Sequence, residues 1–196
     1  MAISSKRKKK VLYRGEFKQL VSVNGWEFIE RVNCGGIVVI LAVTGSGKAI
    51  LIDQYRVPVG KRVIEFPAGL SNDIEKYRNE TLRAAAKREF LEETGFRAGR
   101  MTFLASGPAN PAISGDIMTV FLAGDLKKVS AGGGDASEDI RVYEVDLRTI
   151  ESWLRGKQRE GFLVDPKVYA GIYLLEKLLK TPAKKKTARK KYSRKT

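Results

Sequence analysis

Three glutamates close together near the end of one helical run set the chemistry to be explained. They are Glu89, Glu92 and Glu93 in Arg88-Glu89-Phe90-Leu91-Glu92-Glu93-Thr94-Gly95-Phe96. The residues before them, Leu82 to Lys87, are good helix formers. Asn79 is the expected N-cap, and Gly95 stands where a glycine would end the helix. At ~100° per residue, Leu82, Ala85 and Ala86 share a stripe that Glu89, Glu92 and Glu93 continue. A surface helix ordinarily sets its charges opposite its apolar face. Here the apolar stripe turns into carboxylates, placed at the negative end of the helix dipole. Glu89 and Glu93 are also like charges at i,i+4, and each such effect costs a few tenths of a kcal/mol up to ~1. Two readings of the spacing stand: a solvated acidic helix end, or a seat for a hard divalent cation, which takes carboxylate oxygens and leaves room for phosphate.

The elements that must hold these residues can be read on either side. Residues from about 10 to 32 read as strands, with Asn24-Gly25 as a two-residue hairpin turn. Gly36 to Val43, Ala49 to Tyr55, Arg62 to Phe66, Met101 to Ala105, Ile117 to Leu122 and Arg141 to Val145 read as further strands. Leu147 to Arg155 reads as a helix. Asp165 caps a last one, with Pro166 at its first position and Val168, Ile172, Leu175 and Leu179 on its core face. Lys127 to Asp139, centred on Gly132-Gly133-Gly134, reads as a mobile loop. Gly45-Ser46-Gly47-Lys48 is not a phosphate-binding P-loop: Ala49 replaces the required Ser or Thr, and the turn lies between strands.

Composition sets the outer bounds. The 196 residues suit one domain with a real core, and 43% of them are apolar. The formal net charge is +15, but five positive charges lie in Lys6–Lys10 and eight in Lys184–Lys195, with no acid in either stretch. About two remain for the body. The ends therefore read as solvated arms, 1–10 and 181–196, able to touch polyanions non-specifically. Cys34 is the single cysteine and there is no histidine. That excludes an intrachain disulfide and histidine-based catalysis, argues against zinc, and leaves Cys34 as a small buried residue. No long apolar run suggests a signal peptide or a membrane span, so a cytoplasmic protein is expected.

Arg88 to Phe96 resembles the core of the Nudix box of pyrophosphohydrolases, Arg-Glu-hydrophobe-x-Glu-Glu-x-Gly-hydrophobe. Glu80 lies eight residues before Arg88, as the box requires. Gly69, after Phe66-Pro67-Ala68, stands for its first glycine, with ten residues instead of five before Glu80. The box therefore resembles one with a five-residue insertion within Leu70 to Asn79. Asp53-Gln54-Tyr55-Arg56 and Glu65-Phe66-Pro67-Ala68-Gly69 resemble the branch that hydrolyses ADP-ribose and other nucleoside diphosphate sugars. Asn110 to Asp116 is similar to that branch's Ser-Pro-Gly-x-Ser-x-Glu loop, with Pro111 at the marker proline. Ala112 and Asp116 depart from its glycine and glutamate. The resemblance covers roughly residues 20 to 180.

What the resemblance implies is specific. The fold is a mixed α/β sandwich, α/β/α, with an N-terminal antiparallel strand layer at 11–34 that pairs two subunits, followed by the catalytic domain at 35–180. The cofactor is Mg²⁺, with Mn²⁺ as the alternative. Glu89, Glu93 and the backbone carbonyl of Ala68 are metal ligands, and Glu92 shares a metal or holds one of its waters. Glu80 and Arg88 orient the cluster as an ion pair. Glu138, within Ser137 to Val142, is the general base or an extra ligand, with Asp139 as the other candidate. Arg56 contacts a phosphate, Glu65 hydrogen-bonds the base or ribose, and Pro111 lies beside the substrate. Trp26 and Phe28 either stack on a nucleobase or pack in the core. The reaction implied is Mg²⁺-dependent hydrolysis of ADP-ribose to AMP and ribose 5-phosphate, in a homodimer. GDP-mannose or another nucleoside diphosphate sugar is the alternative substrate. Two readings built on the basic arms are more remote: a nucleic-acid-binding protein, and a pyrophosphohydrolase of RNA 5′ ends.

Overall fold

A computed structural model describes residues 8–73, 75–134 and 138–180. The basic stretches beyond 180 and before 8 lie outside those residues. Eleven strands and three α-helices are present among them. β1 (Lys9–Arg14), β2 (Lys18–Val23) and β3 (Trp26–Arg31) form a separate antiparallel layer. β1 takes in Lys9 and Lys10, which the charge pattern had placed in the N-terminal arm, and Lys9 pairs with Glu30. The hairpin at Asn24-Gly25 forms as its sequence requires, with φ of 53° and 85° at the two residues.

The body holds two four-stranded sheets. In one, β10 (Ile140–Asp146), β5 (Lys48–Arg56), β6 (Lys61–Glu65) and β11 (Leu163–Val164) lie side by side. In the other the order is β7 (Ala68–Ser71), β4 (Gly36–Ala42), β9 (Ile117–Lys128) and β8 (Phe96–Pro108). Both are mixed, since β4 runs parallel to β9 and β6 parallel to β11. β8 and β9 extend well past their apolar cores into a long antiparallel ribbon. β7 and β11 were not anticipated. Each is short and carries no alternation of its own, and it forms because a neighbouring strand offers an edge.

Alternation along β4 divides the core. Val38 and Ile40 face α1 (Leu82–Thr94), meeting Ala85, Ala86 and Phe90. Val39 and Leu41 face the other way, toward α2 (Ile150–Arg159) and α3 (Pro166–Lys180), meeting Leu154, Val168 and Ile172. A strand buried on both faces carries apolar residues at every position, which explains the unbroken run in β4. The layers are thus helix, strand, helix, the α/β/α sandwich expected. Leu179 departs from expectation: it is 61% exposed, and the inward face of α3 is completed by Gly171. Cys34 is half-buried in the turn before β4, with its Sγ 3.5 Å from the Gly36 carbonyl, rather than in the core.

Candidate active site

α1 begins two residues later than the sequence suggested. Its N-cap is Thr81, whose side chain accepts from the Ala84 N–H; Asn79 lies outside the helix in a left-handed conformation. That shift frees Glu80 from the helix, so its carboxylate reaches across to Arg88. At the far end Gly95 has φ of 71° and returns its N–H to Leu91. A Cβ there would come within 2.2 Å of the Ser130 carbonyl, so glycine is required both by conformation and by space.

The stripe read from the sequence is realised in part: Ala85, Ala86 and Glu93 point inward, Leu82 and Glu89 are half-buried, Glu92 is exposed, and Phe90 joins the buried face. Glu93 is only 2% exposed. Its carboxylate accepts from the Ala68 N–H at 3.0 Å, across to β7. Glu89 accepts from the Leu70 N–H at 3.2 Å on the same strand. Gly69, between them, packs against the Glu89 side chain: a Cβ would sit 2.0 Å from its carboxyl carbon. Glycine in the first position of the motif is therefore what lets α1 lay its carboxylates on β7.

Arg88 ties the cluster together. It donates to both oxygens of Glu80, at 2.7 and 3.3 Å, to Glu89 at 2.9 Å, to Glu92 at 3.2 Å and to the Leu70 carbonyl at 3.0 Å. Tyr77 stacks on its guanidinium at 4.1 Å. Tyr77 belongs to the inserted loop, in a single 3₁₀ turn at Glu75–Tyr77. Glu75 has the uninterrupted spacing from Gly69, yet it is exposed and pairs with Arg78. Glu80 is the glutamate that folds onto Arg88, so the insertion lies between Gly69 and the working glutamate, as expected.

Burial dominates the electrostatics. It pushes the Glu89 carboxyl up to about 7, with Arg88 opposing, and pushes Glu93 well above the usual range, with the Ala68 N–H opposing and the charges of Glu89 and Glu138 adding. Burial alone would lower the Arg88 pKa, but Glu80 and Glu89 more than offset it and hold it charged. Two desolvated, mutually repelling carboxylates, one of them lining a cleft, are a poor arrangement for the protein alone. They are a good one for a hard divalent cation, since every donor in reach is oxygen. Among the described residues the side chains are not drawn into a closed ligand cluster, because Arg88 lies among three of the glutamates. Glu89, Glu93, Glu92 (46% exposed along its side chain) and the Ala68 backbone are the groups that fit the ion.

The cleft beside them has a volume of about 510 Å³. Ala68, Arg88, Glu89 and Glu92 line one wall, and Gln54, Arg56 and Glu138 the other. Arg56 is held along one edge by Glu65, whose oxygen accepts from Nε at 2.9 Å and Nη2 at 2.7 Å. Glu65 is thus a partner of Arg56. Glu138 accepts from Gln54 at 3.3 Å. Asp139, the other candidate base, is engaged by Arg62, which holds its carboxyl below the ordinary value. That disfavours Asp139 for proton abstraction. The glycine-rich stretch is also not loose in its described part: the N–H groups of Gly133 and Gly134 donate to the Glu93 and Glu92 carbonyls at 2.8 and 3.1 Å, closing the end of α1.

Four expected residues do not line the cleft: Glu65, which is held on Arg56, Glu93, which is buried against Ala68, and Trp26 and Pro111. Trp26 sits at the tip of the β2–β3 hairpin, 77% exposed, which also rules out core packing for it. Pro111 is exposed in a turn whose Ile113 carbonyl accepts from Ile29 on β3. Neither is a cleft residue within one chain. The loop does contribute through Asp116, which pairs at 3.3 Å with the cleft residue Arg31. Arg31, Gln54 and Tyr77 were missed as cleft residues. Their partners lie far apart in sequence, Asp116 for Arg31, Glu138 for Gln54 and Arg88 for Tyr77, so no local pattern signalled them.

A helix carrying buried carboxylates against a glycine strand is the pattern of a known fold, and comparison bears this out. The NUDIX domain model matches residues 35–160. The chain belongs to the Nudix family. Its relatives include a methanol dehydrogenase activator of Bacillus methanolicus, 31% identical over 148 residues, 75% of each chain. An ADP-ribose pyrophosphatase of Bacillus subtilis is 36% identical over 119 residues, 60% of this chain and 62% of that one. A crystal structure described as an ADP compounds hydrolase shares the Nudix fold, with a TM-score of 0.65, 24% identity and coverage of 91% of this chain and 97% of its own. No helix among the described residues is long and apolar enough to cross a membrane.

Proposed function

We propose that this Nudix hydrolase cleaves the diphosphate bridge of nucleoside diphosphate sugars, with ADP-ribose, giving AMP and ribose 5-phosphate, as the substrate it fits best. One observation carries the reading: Glu89 lines the same cleft as Arg56, and Glu93, buried one turn further along α1, is bonded to the lining residue Ala68, so a seat for cations faces a fixed donor for phosphate. The name of the Bacillus subtilis relative supports the substrate class.

Glu89, Glu93, Glu92 and the Ala68 carbonyl would hold Mg²⁺, or Mn²⁺ in its place. Bound there, the ions neutralise charge on the diphosphate oxygens and make a nearby water more acidic. The chain's own groups do the rest. Arg56, its orientation set by Glu65, donates to phosphate oxygens. Glu138 accepts the proton of the attacking water at its carboxylate. Arg88, braced by Glu80 and stacked on Tyr77, keeps Glu89 and Glu92 aimed at the cleft.

The N-terminal layer pairs two subunits. Val11, Tyr13, Phe17 and Trp26 are all exposed on it, an apolar surface that a second copy would cover. Trp26 and Pro111, unused within one chain, then serve the nucleoside end across the dimer. A panel of nucleoside diphosphate sugars incubated with Mg²⁺, with products identified by mass, tests the substrate. ADP-ribose should be turned over fastest. Preferred cleavage of GDP-mannose moves the specificity, and no cleavage of any member refutes the reading.

A further inference from the structure

Asp53 is fully buried on β5, an unusual place for a carboxylate. Both of its oxygens are satisfied. Oδ1 accepts from Nε of Arg62 on β6, and Oδ2 accepts from the Tyr143 hydroxyl on β10 at 2.5 Å. A desolvated carboxylate gripped from two neighbouring strands is a stiff anchor for its arginine. The Arg62 side chain is itself only 16% exposed. The rest of its guanidinium reaches out of the sheet: Nη1 donates to the Asp139 carboxylate and Nη2 to the Asp139 backbone carbonyl at 2.8 Å.

Gripping a backbone carbonyl fixes the path of the chain and not merely one side chain. The residue one peptide away is Glu138. Gly133 and Gly134 are fastened on the end of α1, and Gly134 packs against the Glu138 side chain. Glu138 is thus held through its neighbour Asp139 and against Gly134, with its own carboxylate steadied by Gln54.

We infer that Arg62 is a positioning residue for the reaction: anchored on Asp53 and Tyr143, it clamps Asp139 so that the Glu138 carboxylate is held over the cleft. This rests on the reading of Glu138 as the base. The clamp matters because a proton acceptor must lie within hydrogen-bond reach of the water it serves, and a displacement of about 1 Å can cost on the order of a hundredfold in rate.

The test compares steady-state constants for ADP-ribose with Mg²⁺ in Arg62→Lys, Asp139→Ala, Glu138→Gln and the doubles of the first two with Glu138→Gln. Arg62→Lys keeps a charge beside Asp53 but loses the planar fork. Asp139→Ala removes only an exposed carboxylate, so it cannot unfold the core should Arg62→Lys do so. We expect Arg62→Lys to lower kcat by on the order of tenfold to a hundredfold and Asp139→Ala by several-fold, as for groups that orient a reacting residue. KM should hold. Neither substitution should lower kcat further once Glu138 is Gln, because groups acting as one unit are not additive. Wild-type kcat in both single variants, losses that multiply with Glu138→Gln, or a loss confined to KM would overturn the clamp while leaving Glu138 in place. Wild-type turnover by Glu138→Gln alone would instead remove the base assignment, and the clamp with it.

Discussion

Individual side chains already set the trade-off between stability and catalysis here. The Glu89 carboxyl is raised from 4.5 to about 7 by burial, so the folded state holds a proton that the unfolded state has released. The sign follows: metal-free protein has its full stability from this group below pH 4.5 and loses it as pH rises toward 7. Thermal melts in chelator should show that decline, and added Mg²⁺ should raise the melting temperature most at the alkaline end of the window. Glu93, more deeply buried and shifted the same way, sharpens the point. Glu93→Gln keeps an acceptor for the Ala68 N–H and removes a charge. At pH 8 without metal it should melt at a higher temperature than wild type, even though it removes a ligand. At this scale the sequence spoke plainly about α1, because carboxylates on an apolar stripe break the helical pattern. It was silent about Tyr77 and Gln54, whose roles depend on a loop and a strand register that no local pattern encodes.

Among the elements, the junction of α1 with the strands and loops around it decides whether these groups meet. Gly95 combines a left-handed backbone with a neighbouring carbonyl that would collide with any Cβ. Gly95→Ala should therefore destabilise the fold by more than the ~1 kcal/mol of a positive-φ substitution alone, measured by urea denaturation. Gly69→Ala acts differently. Its added methyl group displaces the Glu89 side chain, so Mg²⁺ affinity should fall, read by isothermal titration, while the helix persists. Most elements were legible for different reasons: β4 and β5 are short unbroken apolar runs bounded by turn residues, α1 is a run of strong helix formers ending in glycine, and α3 carries an apolar face of helical spacing. β7 and β11 were not, since short edge strands owe their existence to the partner strand. The N-terminus of α1 was misplaced because both Asn79 and Thr81 are competent caps, and the choice falls to the Glu80–Arg88 pair, a contact between groups eight residues apart.

For the whole molecule, the three-stranded layer and the body form an asymmetric object with an exposed apolar face on one side. Light scattering should give the mass of a dimer, and Tyr13→Glu with Phe17→Glu should yield monomers with weakened affinity for the nucleoside end if the partner supplies Trp26. The sandwich was legible as a whole because alternating two-faced strands and three amphipathic helices admit few layer arrangements. The proposed pairing of two subunits was expected only from the family resemblance, since in the chain itself it would leave no trace but exposed apolar residues. The account as a whole depends on buried glutamates serving as a cation seat beside a diphosphate. The direct measurement is the kcat of purified Glu93→Gln on ADP-ribose at saturating Mg²⁺, beside a melting curve. The account predicts a folded protein whose kcat is down by more than about a hundredfold. A folded Glu93→Gln that turns over like wild type would contradict it.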